Sequence, residues 1–270
     1  MKKVLLIGLD LLAVTTLVAV GLLLYYGRQE PADLALAQVR ASGLLRVATD
    51  ATYPPFESYT DGAYSGYDID LAKLIGARLG VAVAFSNIPS DSLYQALGEG
   101  KVDAIVSALP FIYERSNDLI YSRAYFNAAP LLVVPAASTA RSLSDIAAGK
   151  LGAQLGSDSD EAARRWQRDH PTGGLQLATF DTPTAALDAL AAGQVAAALA
   201  DPLEFTAWQV AHPAYKAVAN LGEAGYVVAV GKQSRQLARL VDETIANAQA
   251  DGTLARLAAR WFVATPNPGR

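Results

Sequence analysis

Acidic, basic and aromatic side chains recur in this sequence just beyond short apolar runs. Asp50 and Tyr53 follow "LRVAT", Leu45–Thr49. Ser107 ends "VDAIVS", and Arg115 comes eight residues later in "SALPFIYER". Gly156, Ser157 and Asp158 follow "KLGAQL", and Asp201 directly follows "QVAAALA". A guanidinium, separate carboxylates, a glycine-led turn with backbone N–H groups and an aromatic ring suit a small zwitterion. Its carboxylate fits a forked guanidinium and helix N-terminal amides. Its ammonium fits a carboxylate, and its side chain fits an aromatic face. The set therefore points to a free amino acid. Taken singly, each residue has a structural alternative. Asp201 before Pro202 can be a helix N-cap, Arg115 a surface residue and Ser157 a turn residue. Four such clusters in one chain carry more weight than any one of them.

The elements that must position these residues alternate from Gly43 onward. "LRVAT", "VAVAFS" and "VDAIVS" read as buried strands, and "DIDLAKLIGARLG" (Asp68–Gly80) and "SLYQALGEG" as helices between them. In the longer helix Ile69, Ala72, Leu74, Ile75 and Leu79 share a face. Asp68 is expected to cap its start and Gly80 to end it. After "LLVVP" come strands "KLGAQLG", "LQLATF" and "QVAAALA", with helices "DSDEAARRWQRDH", "TPTAALDALAAG" and "DPLEFTAWQV". "YVVAVG" and two closing helices finish the chain. Such alternation predicts an α/β protein with mainly parallel sheets, in which ligands sit beyond the carboxyl ends of strands. In "TYPPFESY" two prolines restrict a turn that presents Tyr53, while Phe56 packs beneath it as core.

The chain has 270 residues, 52% hydrophobic and 18% charged, with net charge −4. This is a globular composition, and without a basic cluster it argues against nucleic acid as a partner. With no cysteine there is no disulfide, thiolate metal site or lipidated cysteine anchor. No metal or cofactor motif stands out, so none is expected. His170 and His212 are isolated beside prolines and read as ordinary surface or turn residues. Lys2 and Lys3 precede an apolar run, Val4–Gly27, long enough to cross a ~30 Å hydrocarbon core. An uncleaved anchor with the N-terminus inside is expected at 1–27, followed by a linker at 28–42. A cleaved signal peptide is the rival reading.

The sequence resembles the extracellular solute-binding proteins of family 3, receptors of polar amino-acid ABC importers. The likeness covers about residues 43 to 263. It rests on "LRVATDATYPPFESY" with "GYDIDLAKLIGARLGV", on "ALGEGKVDAIVSALPFIYERSNDLIYSRAYF", on "ALDALAAGQVAAALAD" and on "ADGTLARLAARWF". The resemblance implies a two-lobed periplasmic-binding-protein type II fold with a hinge, the first lobe formed by 43–127 and 226–270 and the second by 128–225. It implies that Tyr53 stacks on the solute side chain, that Arg115 pairs with the α-carboxylate, and that Asp201 takes the α-ammonium. Gly156, Ser157 and Asp158 would donate backbone N–H groups, Ser107 would edge the site, and Asp50 would meet a polar side-chain tip. It further implies service to the membrane subunits of an ABC importer; the N-terminal segment places the chain in the periplasm or tethered to the outer face of the cytoplasmic membrane, and nothing in the sequence demands more than a monomer.

Two positions depart from the family pattern. Pro110 stands where the family usually has a serine or threonine, so a hydroxyl and an N–H are missing. Ser90 stands where a second aromatic is frequent. Tyr113, Phe111 or Tyr125 are the side chains placed to refill the space. Two other functions compete. Some proteins of this fold catalyse eliminations on cyclohexadienyl substrates, for which Glu114, Glu57 or Asp158 would be the acid–base residues; no second motif supports this. A sensing subunit would need a signalling partner.

Overall fold

A computed structural model describes residues 33–146 and 149–262. The expected anchor, Val4–Gly27, lies outside the described residues. Among the described residues no helix is long and apolar enough to cross a membrane.

The first sheet has five strands, in the order β5 (Ala82–Asn87), β1 (Leu44–Thr49), β6 (Ala104–Ile105), β15 (Ala229–Gly231) and β7 (Leu119–Tyr121). β1 runs parallel to β5 and β6, with Leu44 opposite Ala82 and Thr49 opposite Asn87. β15 is antiparallel to both its neighbours. The second sheet repeats the pattern: β11 (Gln176–Phe180), β10 (Lys150–Gln154), β12 (Ala197–Ala200), β9 (Leu131–Pro135) and β13 (Tyr215–Asn220). β10 is parallel to β11 and β12, and β9 is antiparallel to β12 and β13. Each sheet is thus mixed rather than all parallel. β9 and β15 are the first main-sheet strands after the chain leaves the other sheet, and both enter against the parallel set. The two passages between the sheets, β8 (Phe126–Asn127) and β14 (Gly225–Tyr226), pair antiparallel.

Burial on both faces explains the unbroken apolar runs. In β9 Leu132 and Val134 join one core cluster while Val133 joins the other, as the two-residue period of a strand requires. In the first lobe Val47 packs into a cluster with Leu71, Ile75, Val228 and Ile245, and the next residue, Ala48, faces Leu93 and Leu97.

Two expectations are corrected. Residues 34–42, expected as linker, form a helix, α1 (Leu34–Ser42), whose Leu36 and Val39 are buried. Asp33 holds it down. Its Oδ1 accepts from Leu36 N–H at 2.9 Å, and its Oδ2 accepts from Gln236 and Leu237 N–H at 2.7 and 3.0 Å. One carboxylate therefore caps both α1 and the closing helix Arg235–Ala250. Second, Asp68 does not cap the first-lobe helix. That helix, α2 (Tyr67–Leu79), begins one residue earlier behind Gly66, and Asp68 is fully buried in its first turn. Gly66 is required there: its φ is 137°, and a Cβ would lie 2.1 Å from Phe56 O. The predicted stop at Gly80 is present, with φ 74°.

The histidines are helix-end residues stacked on tryptophans, His170 on Trp166 at 4.4 Å and His212 on Trp208 at 3.8 Å.

Candidate functional site

The clusters follow the carboxyl ends of parallel strands: Asp50 after β1, Ser107 after β6, Ser157 after β10 and Asp201 after β12. This is where open α/β sheets leave main-chain groups and loops free for ligands.

On the first lobe, Tyr53 is 41% exposed and lies flat on buried Phe56, with centroids 5.5 Å apart and planes 8° apart. Phe56 in turn meets Tyr67, Phe126, Tyr226 and Phe262 at 5.0–6.0 Å. The ring offered to the cleft therefore rests on an aromatic hub that includes both passages between the lobes, Phe126 and Tyr226. Asp50 is already engaged. Its Oδ1 accepts from the Thr52 hydroxyl at 2.8 Å and its Oδ2 from Ser90 N–H at 2.9 Å. Ser107 Oγ accepts from Asp50 N–H and donates to Glu57 Oε1, each at 2.9 Å. Each carboxylate oxygen of Asp50 keeps a further lone pair. Ser107 contributes structure more than a free hydroxyl.

Arg115 is set apart from these. Its guanidinium lies 3.9 Å from the centre of the Tyr94 ring, a cation–π seat. It lines a hollow of about 380 Å³ together with Asp91, Gln95 and Asp118.

On the second lobe Ser157, Asp158 and Asp201 come together in a hollow of about 120 Å³, with Gln154, Ser159, Ala128, Pro130 and Pro183. Asp201 is indeed an N-cap, of helix Pro202–Gln209: Oδ1 accepts from Leu203 and Glu204 N–H at 2.8 and 3.4 Å. Its Oδ2 has no hydrogen bond among the described residues, so capping uses half of the carboxylate. Partial desolvation raises the Asp201 pKa, the two amides lower it, and the charge of Asp158 raises it again. Ser157 caps helix Asp158–Asp169, accepting from Asp160 N–H at 3.3 Å and donating to Gln154 O at 2.8 Å. Gly156 adopts φ 72°, but its N–H is taken by Asp160 Oδ2 at 3.1 Å. The amides without an acceptor among the described residues are those of Asp158 and Ser159, one step further into the helix.

Tyr226 is a residue beside Tyr53 and Phe56 that sequence reasoning passed over. Burial, the neighbouring Tyr53 and the charge of Asp201 raise its pKa. Its ring packs against Phe56 at 5.2 Å and Phe126 at 5.9 Å. The one signal was its place at the head of "YVVAVG", where the chain re-enters the first lobe. Tyr125 does not refill the space left by Ser90, because it is buried with its hydroxyl on Asp68 at 2.7 Å. Phe111 and Tyr113 are exposed, at 53% and 78%. Pro110 bridges to Tyr226 at the edge of the hinge.

A family model for bacterial extracellular solute-binding proteins, family 3, matches residues 45–264. The chain belongs to that family. It is similar to the L-cystine-binding protein TcyJ of Escherichia coli (strain K12), 27% identical over 234 residues that span 84% of this chain and 85% of the relative. Among solved structures it is similar to the L-cystine solute receptor of Neisseria gonorrhoeae in its unliganded open conformation. The TM-score is 0.73 at 26% identity, covering 84% of this chain and 96% of the other. An ancestral cyclohexadienyl dehydratase shares the fold with TM-score 0.75, at 22% identity, over 87% and 99% of the two chains.

Proposed function

We propose that this protein is an extracytoplasmic receptor that captures an amino acid between its lobes and delivers it to the membrane subunits of an ABC importer. The observation that carries this reading is the second-lobe hollow. Asp158 and Asp201 face one small space whose lining, among the described residues, includes no lysine or arginine. Two carboxylates so placed gain most from a cationic group, and an α-ammonium brings one. Asp201 Oδ2 and the amides of Asp158 and Ser159 are the groups left to bind it and its carboxylate. Arg115, in its own first-lobe hollow beside Tyr94, is the forked partner for the carboxylate and Tyr53 the face for the side chain, and both meet the second-lobe groups when the lobes close on the solute. The relatives that bind L-cystine support an amino acid as the solute class. The lysine-led apolar segment Val4–Gly27 supports a tether at the outer face of the cytoplasmic membrane.

The site is read as non-catalytic. Glu57 is buried behind Ser107, and Glu114 is exposed on the Arg115 turn. Turnover of prephenate or arogenate by the purified protein would reverse this part of the reading.

Titration calorimetry with L-cystine, L-histidine and L-arginine tests the proposal. At least one is expected to bind, and Asp201→Asn is expected to weaken it about tenfold or more, roughly 1.4 kcal/mol. Unchanged affinity in Arg115→Ala would remove that residue from the carboxylate site.

A further inference from the structure

Beneath the first-lobe edge lie two buried carboxyl groups. Glu57 is 1% exposed and Asp68 is fully buried. The main chains that carry them are clamped together: Tyr67 N–H donates to Pro55 O at 3.0 Å and Asp68 N–H to Phe56 O at 2.9 Å. Glu57 Oε1 accepts from the Ser107 hydroxyl. Asp68 Oδ2 accepts from Ala108 N–H and from the Tyr125 hydroxyl. The two remaining oxygens, Glu57 Oε2 and Asp68 Oδ1, are buried and find no donor if both groups are ionised. The two side chains lie within hydrogen-bonding reach of each other. A single proton on Glu57 satisfies both orphan atoms at once. Asp68, with two donors on its other oxygen, is the member that keeps the charge.

We propose that Glu57 and Asp68 form an acid pair sharing one proton, and that this pair is the positioning element of the cleft edge formed by Asp50, Ser107 and Ala108. The chain of bonds is continuous. Asp50 N–H donates to Ser107, Ser107 donates to Glu57 and Ala108 N–H donates to Asp68, and the shared proton is the link that joins Glu57 to Asp68. Ala108 is held at φ 40°, a left-handed conformation that a non-glycine residue adopts only under constraint. The groups acting on the pair are Asp50, Tyr67, Tyr125 and Tyr226, with Ser107; no cation is among them. Burial and mutual repulsion both hold the Glu57 proton in place, and among the described residues no positive charge acts on the pair against them.

The pair is defined on ligand-free protein, and only its purpose rests on the solute-binding reading. Infrared spectroscopy of the ligand-free full chain is expected to show a protonated carboxyl C=O band at neutral pH that is absent in Glu57→Gln. The amide exchange of Ala108, followed by NMR, supplies the positioning readout. In wild type its protection is expected to fall about tenfold or more as the band disappears with rising pH. In Glu57→Gln, whose side chain donates and accepts in the same places but does not ionise, protection is expected to stay level. No band at neutral pH, or a band that survives Glu57→Gln, overturns the shared proton. Equal Ala108 profiles in the two proteins overturn the positioning role. Neither result depends on whether an amino acid binds.

Discussion

At the scale of single residues, the Tyr53–Phe56 stack sets a buried ring beneath an exposed one. Phe56 is fully buried and touches five other rings. Phe56→Ala is therefore expected to cost about 3–5 kcal/mol in chemical denaturation. Tyr53→Ala loses one exposed ring and is expected to cost under about 1.5 kcal/mol of stability, while calorimetry records weaker solute binding. The packing of Phe56 beneath Tyr53 was legible in "TYPPFESY", because two prolines and an aromatic pair leave little else for the segment to do. Asp68 was not legible. An aspartate at the start of an apolar period reads as a cap, and only the fold shows Glu57, Tyr125 and Ala108 closing over it. Asp201 carried a false choice. The cap and the ligand group were alternatives in sequence, yet the carboxylate has two oxygens and capping occupies one.

At the scale of elements, the strands and helices that are buried on a full face were plain, because their periodicity is set by the core. The elements that sequence reading passed over are those with little core to show. The hairpin of β2 (Thr52–Tyr53), β3 (Glu57–Thr60) and β4 (Ala63–Ser65) is short and largely exposed, and β13 is an edge strand with a mixed pattern. Helix α1 was hidden for another reason: its anchor is a buried carboxylate that caps a helix 203 residues away. Asp33→Ala removes both caps and is expected to cost about 2 kcal/mol, at roughly 1 per cap. Differential scanning calorimetry would then show Tm lower by about 4–8 °C. Gly66→Ala puts a methyl group into Phe56 O and forces the helix start away from β3. It is expected to destabilise more than Asp33→Ala, and a Tm within 2 °C of wild type, less than the shift from about 1 kcal/mol, would contradict the clamp.

At the scale of the whole molecule, the family and its solute-binding class were legible because the motifs run through both sheets, whereas the sharing of one proton across two elements was not. That proton couples the cleft edge to global stability. The Glu57 pKa is raised from 4.5 to about 10, chiefly by burial and then by the charge of Asp68. A raised folded value means that the contribution is fully present below about pH 4.5 and is lost as pH rises through about 10. The loss is up to about 1.4 kcal/mol per pH unit for one proton. Urea midpoints across this range should fall in wild type and stay flatter in Glu57→Gln. The most direct test of the receptor reading is a binding screen of the purified chain against the common amino acids, read as the rise in melting temperature that a ligand of the folded state produces. The structure predicts a concentration-dependent rise with at least one amino acid, reduced in Asp201→Asn and in Arg115→Ala. A flat response to every amino acid would contradict it, and would mean that Ser90 and Pro110 have reshaped the cleft for a solute without the α-ammonium and α-carboxylate pair.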